Sequence, residues 1–150
     1  MIDAGGVGLL GVNLAATCAM VGLIWFVQVV HYPLFGLVGE RGFGDYSRAN
    51  QRRTAWVVGP LMIVEVAAAA ALVADPPSTL GRALPSVGLI ILVAIHACTA
   101  IVQIPGHRAM LDGRDEGRIR SLVAGNWIRT AGWSLRGALS LAMLLVAIPS

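Results

Sequence analysis

Glu65 and Arg136 are the residues best placed to do chemistry in this chain, because each lies near the middle of a long apolar run. A charge at the centre of a bilayer-spanning run costs roughly 3 kcal/mol on insertion scales, so charges found there pair with one another or serve function. His96 is a third titratable group inside an apolar run. Glu65 and His96 are the candidate acid–base groups, and Arg136 is the group that would hold negative charge on a substrate.

Further polar residues recur at helical spacing. Asn126, Arg129, Trp133, Arg136 and Ser140 follow i, i+3, i+7, i+10, i+14 and form one stripe; His96, Thr99 and Gln103 form a second. The end of the first apolar run adds Trp25, Gln28, His31 and Tyr32. Such stripes do not face lipid cheaply and are expected to converge on a bundle axis. The expected site is a polar pocket with Glu65, His96 and Arg136 at its floor. Gln28, His31, Gln103, Asn126, Arg129 and Trp133 form its substrate-binding wall. Two arginines against one glutamate leave excess positive charge, suited to an anionic or enolate-like group. His107, after Pro105-Gly106 in an arginine-bearing segment, is expected to be solvated.

The elements that must position these residues follow from composition. Of 150 residues, 57% are hydrophobic and 13% charged, against about 25% charged in a water-soluble domain. Four runs approach the ~20 apolar residues that cross a ~30 Å core: 7–30, 55–74, 84–104 and 127–148. Backbone polar groups in lipid must bond internally, so the spans are helices. The expected fold is an all-α, integral membrane four-helix bundle forming one domain. The first run is too long for a signal peptide, and no positive n-region precedes it, so it reads as a retained span.

All 11 basic residues are arginine. Arg41, Arg48, Arg52 and Arg53 follow the first run, and Arg108, Arg114, Arg118 and Arg120 follow the third; only Arg82 lies between the second and third. The positive-inside rule puts both arginine-rich segments in the cytoplasm and both termini outside, in the cell (inner) membrane. The clustering is a topology signal and not a nucleic-acid footprint, since no soluble face carries it. Trp25, Trp56, Trp127 and Trp133 read as an aromatic belt near the cytoplasmic ends.

The two halves resemble each other. Asn50-Gln51-Arg52-Arg53-Thr54-Ala55-Trp56 opens the second run, and Asn126-Trp127-Ile128-Arg129-Thr130-Ala131-Gly132-Trp133 opens the fourth, 76 residues on. Val27-Gln28-Val29 and Val102-Gln103-Ile104 close the first and third, 75 apart. This pattern predicts two tandem, parallel helical hairpins, residues 1–75 and 76–150, related by a pseudo-two-fold along the membrane normal. Gly11, Ala15, Ala16, Gly22, 67–71 and Gly137 would allow close helix packing.

The four-span plan, Asn126-Trp127 with Arg129 at the start of the fourth run, and His31-Tyr32-Pro33 at the end of the first are similar to small bacterial membrane proteins related to the anthrone-oxygenase-like family. The likeness covers most of the chain in architecture and a few residues in motif. It implies cofactor-free oxidation of a polycyclic phenol and assigns no catalytic residue. The expected partners are the lipid bilayer and a lipophilic small molecule.

Other classes are distinguishable. A haem carrier needs two histidines at matched depth, and His31 and His96 differ by roughly two to three helical turns; no cofactor and no metal are expected. Cys18 and Cys98 form no C-x-x-C and read as small buried hydrophobes. A proton-coupled transporter with Glu65 as its proton site and a non-enzymatic assembly subunit are the alternative readings. No P-loop, nucleophile elbow or zinc spacing is present.

Overall fold

The four apolar runs become four long helical rods in a computed structural model, which describes residues 4–148. The first rod is helix α1 (Ala4–Phe26), a π-helical turn (Val27–His31), the single turn α2 (Tyr32–Leu34) and a 3₁₀ turn (Phe35–Leu37). The second is α3 (Phe43–Ala74). The third is α4 (Ala83–Cys98), a second π-helical turn (Thr99–Gln103), α5 (Ile104–Ala109) and a 3₁₀ turn (Met110–Asp112). The fourth is α6 (Glu116–Ala147). All four are long and apolar enough to cross a membrane. No strand occurs among the described residues.

Each π-helical turn stops two residues before a proline, Pro33 in the first rod and Pro105 in the third. Proline supplies no N–H to the carbonyl four residues back, and its ring crowds that carbonyl. The widened turn absorbs the clash: Tyr32 N–H bonds to Val27 O and Ile104 N–H to Thr99 O, both across five residues. The rods continue instead of breaking.

The helices α3 and α6 begin about one-third of a rod earlier than the apolar runs inside them. Each has 32 residues, or ~48 Å at 1.5 Å per residue. That exceeds a ~30 Å hydrocarbon core. The arginine-bearing segments are therefore mostly helix: Arg48, Arg52 and Arg53 ride on α3, and Arg118 and Arg120 on α6. The connections that remain are 38–42 and 113–115, turned by Gly42 (φ +89°) and Gly113 (φ +139°), conformations that disfavour a Cβ.

The rods close into a ring in which α1 packs on α3 and α6, and α4 packs on α6 and least closely on α3. The core is layered along the bundle. Leu10, Leu72, Leu80, Met143 and Ala147 pack at the end where the first rod begins and the fourth stops. Met20, Ile24, Ile95 and Trp133 pack in the middle. Tyr32, Phe35, Phe43, Met110, Ile119 and Leu122 close the arginine-rich end. Of the glycines expected to allow close packing, Gly137 does, since a Cβ there would lie 3.1 Å from Val21 Cγ2. Gly11 and Gly22 face open space, whereas a Cβ on Gly132 would lie 2.8 Å from Ile95 Cγ1. Gly132 thus lets α4 and α6 touch.

The four tryptophans divide between surface and core. Trp25, Trp56 and Trp127 are exposed on the bundle surface, with Trp25 edge-on to Trp127 at 5.7 Å. Trp133 is fully buried; its position on the polar stripe of α6 outweighs any belt role. Cys18 is exposed and Cys98 half-buried, so the expectation that both are buried is corrected; both are free thiols.

Asp115 caps α6, its carboxylate accepting the Arg118 backbone N–H at 3.0 Å. That bond, with lesser help from the Gly117 backbone and the Arg118 and Arg120 charges, holds the Asp115 carboxyl below its ordinary range. A carboxyl lowered by folding stabilises above its unfolded value and loses that contribution as pH falls through the folded one. The first turn of α6 is thus expected to gain hydrogen exchange, relative to the rest of α6, as pH drops below about 4. Asp115→Asn, which keeps a capping oxygen, is expected to flatten that dependence.

Candidate functional site

Two polar systems lie inside the bundle, and they are chemically distinct. The first is built on Glu65 of α3 and Arg136 of α6, 0% and 1% exposed. Arg136 Nε donates to Glu65 Oε1 at 2.8 Å. Glu65 also accepts from Thr17 Oγ1 at 2.9 Å and from Trp133 Nε1 at 3.2 Å. The other arms of Arg136 donate to Gly88 O at 2.7 Å and to Asn13 Oδ1 at 2.9 Å, and Asn13 Nδ2 donates to Ser140 Oγ at 3.1 Å. Gly88 is required here, because a Cβ would come within 3.0 Å of Arg136 Nη1. Four rods converge on one neutral pair, each side-chain nitrogen and oxygen of which has a hydrogen-bond partner. Asn13 and Thr17, four apart on α1, are the partners that the reading of charged groups missed; their i, i+4 spacing was the available signal.

The second system surrounds a cavity of about 460 Å³ nearer the arginine-rich end. The volume falls within the roughly 300–1,000 Å³ of small-molecule sites. Its apolar side is made by Met20, Leu23, Ile24 and Val27 of the first rod and Val58 and Met62 of α3. Its polar side carries His31, Tyr32, Asn50, Gln51, Thr54, Thr99, Gln103, His107 and Arg129. It lies between α3 and the third rod, the least closely packed pair, with the first rod behind it. The first and last residues of both π-helical turns, Val27 and His31, Thr99 and Gln103, all face it. Turns of this kind recur at functional sites because they re-aim side chains.

Two features of the wall point to a ligand. Gln103 is 1% exposed, and neither its Nε2 nor its Oε1 has a partner among the described residues. Leaving such an amide unsatisfied costs about 1–3 kcal/mol per group. Arg129 is 8% exposed and joins no ion pair among the described residues. Its Nη1 donates to Asn126 Oδ1 at 3.0 Å, Asn126 Nδ2 donates to Gln28 Oε1 at 2.8 Å, and Gln28 Nε2 donates to Val123 O at 3.2 Å. Trp133 lies under its guanidinium, 5.1 Å from the ring centroid. The Nε of Arg129 is unpartnered.

Facing these is a titratable pair, with Tyr32 Oη 2.8 Å from His107 Nε2. The expectation that His107 is solvated fails. Tyr32 covers one side of its ring, and Gln51 Nε2 holds its backbone carbonyl at 2.8 Å. Its Nδ1 is buried and unpartnered.

The expected pocket therefore divides. His31, Gln103 and Arg129 line the cavity; Gln28, Asn126 and Trp133 stand behind Arg129 and orient it. Glu65, His96 and Arg136, expected at the floor, are absent from its lining. The reason is that Glu65 and Arg136 saturate each other one layer away. His96 turns its Nδ1 onto its own helix, 2.8 Å from Leu92 O, and meets the edge of Trp133. All five members of the α6 stripe are buried, but they serve two layers and not one.

No protein-family model, curated protein or solved structure matches this chain.

If the Glu65–Arg136 pair is a strut, removing one partner strands a buried charge and is expected to cost about 3–5 kcal/mol. Glu65→Gln and Arg136→Met should each lose that much in denaturant titrations of the purified protein. The double variant should lose clearly less than their sum.

Proposed function

We propose that this protein is a multi-pass membrane protein that receives a lipophilic molecule from the bilayer into the cleft between α3 and the third rod. There the Tyr32–His107 pair moves a proton to or from the bound molecule. The observation that carries this reading is the meeting of that pair, 2.8 Å apart, with an apolar-walled cavity holding an unsatisfied amide. Histidine and tyrosine in contact can hand a proton between ligand and solvent, an effect typically of about 10²–10⁴-fold in rate. The cleft straddles two environments, since Asn50, Gln51 and Thr54 belong to the polar start of α3 and Val58 and Met62 to its apolar run. An amphipathic molecule lying across a headgroup boundary matches that division. The positive-inside rule places this end in the cytoplasmic leaflet of a cell membrane, with both termini outside.

We further infer a duplicated hairpin. Supporting it, the 3₁₀ turns Phe35–Leu37 and Met110–Asp112 lie 75 residues apart, as do Tyr32 and His107, which touch. Residues equivalent by duplication meet where a pseudo-two-fold axis passes. The resemblance to anthrone-oxygenase-like proteins supplies the first substrate to try, a polycyclic phenol oxidised by dioxygen without a cofactor.

The test uses the protein in lipid nanodiscs supplied with anthrone and dioxygen. Oxygen uptake above the rate of empty nanodiscs is expected, falling about 10²-fold in His107→Gln. Val58→Trp, which fills the cleft, should abolish uptake and leave thermal stability near that of the parent. Uptake at the empty-nanodisc rate would discard the oxidation chemistry. Uptake insensitive to both substitutions would discard the site.

A further inference from the structure

Resting on the reading of the cleft as a lipophile site, we propose that its ligand is a single-chain amphiphile with a carboxylate head, and that Arg129 is the group that receives the head. The charge ledger selects an anion. Glu65 is consumed by Arg136 at 2.8 Å, so Arg129 is a buried cation without a carboxylate among the described residues. A buried charge left unpaired is costly, and a ligand of opposite sign removes that cost.

The charge balance of the lining narrows the anion to one of unit charge. The guanidinium carbon of Arg129 stands over the Trp133 ring, 5.1 Å from its centroid, Asn126 takes Nη1, and Tyr32 hydrogen-bonds the group as well. The Nε is left buried and without a partner among the described residues. In-plane donors of a guanidinium match the two oxygens of a carboxylate, which arginine binds in parallel bonds. A phosphate monoester carries up to two charges, and Arg129 is the one buried guanidinium of the lining; Arg108, also in the lining, is exposed to solvent that screens its charge. Gln103, buried with both amide atoms unpartnered and facing the same cavity, adds a donor to the head. The tail then has one apolar direction to follow, along Leu23, Val58 and Met62.

The experiment uses photolabelling in nanodiscs with three diazirine-bearing C16 probes: palmitic acid, its methyl ester and hexadecyl phosphate. Labelled residues are mapped by mass spectrometry. The acid is expected to label Leu23, Val58 or Met62 at least about tenfold more than the ester or the phosphate, a charge-assisted hydrogen bond being worth that much. Arg129→Gln should bring the acid down to the ester's level, and Gln103→Leu should weaken it less. Comparing the three probes on the parent protein decides the matter even if Arg129→Gln fails to fold. Equal labelling by acid and ester overturns the carboxylate head and leaves the cleft reading in place. Labelling by the phosphate equal to that by the acid shows an unselective anion site and also overturns it. Absence of cleft labelling by all three probes overturns both readings.

Discussion

A charge withdrawn from water must be met by protein, and in this bundle that requirement falls on Glu65 and Arg136. The pair does not merely neutralise itself. It gathers groups from all four rods: Asn13 and Thr17 from α1, Glu65 itself from α3, the Gly88 carbonyl from α4, and Arg136 and Trp133 from α6, with Ser140 of α6 behind Asn13. Apolar layers slide past one another at modest cost, because methyl groups have no direction. A guanidinium with directed bonds to three partners tolerates one register of four helices. Buried pairs seldom add net stability over an apolar core, so the value of this one lies in geometry: it fixes the rotation of α6, and with it the place of everything else on the α6 stripe.

That fixed rotation sets the second layer. Trp133 donates to Glu65 through its indole N–H and offers its ring face to Arg129. One side chain thus couples the neutral pair to the unpaired cation. Arg129 lies seven residues before Arg136, two turns along the same face. Both arginines point inward for the same reason of spacing, yet they differ in function because there is one buried glutamate between them. The π-helical turns do the complementary work on the other rods. By widening ahead of Pro33 and Pro105, they swing His31 and Gln103 into the cavity and bring Tyr32 against His107.

Much of the architecture was legible from residue types. Four apolar runs, a low charged fraction and inward polar stripes lead to four helices and a shared interior, since lipid-compatible segments must satisfy their own backbone bonds. Helix length was less legible. The arginine-rich starts of α3 and α6 carry no apolar pattern, and their helical state follows from continuity with the spans and from the Gly42 and Gly113 turns. The site was half legible: the stripe on α6 named Arg129 and Arg136 equally, while Tyr32 and His107 come from different rods and share no local pattern.

By itself, then, the sequence determined which side chains had to turn inward from an apolar surface and which faces they occupied, because burial cost and helical period are local properties. It determined too that one positive charge would be left over. Only the tertiary structure decided which arginine that was. Pairing depends on depth and on the helix opposite, and the shortest reach from Glu65 goes to Arg136 across the bundle, 71 residues away in the chain. With that choice made, Glu65 and Arg136 bind the rods together, and Arg129, left without a carboxylate, faces the cleft.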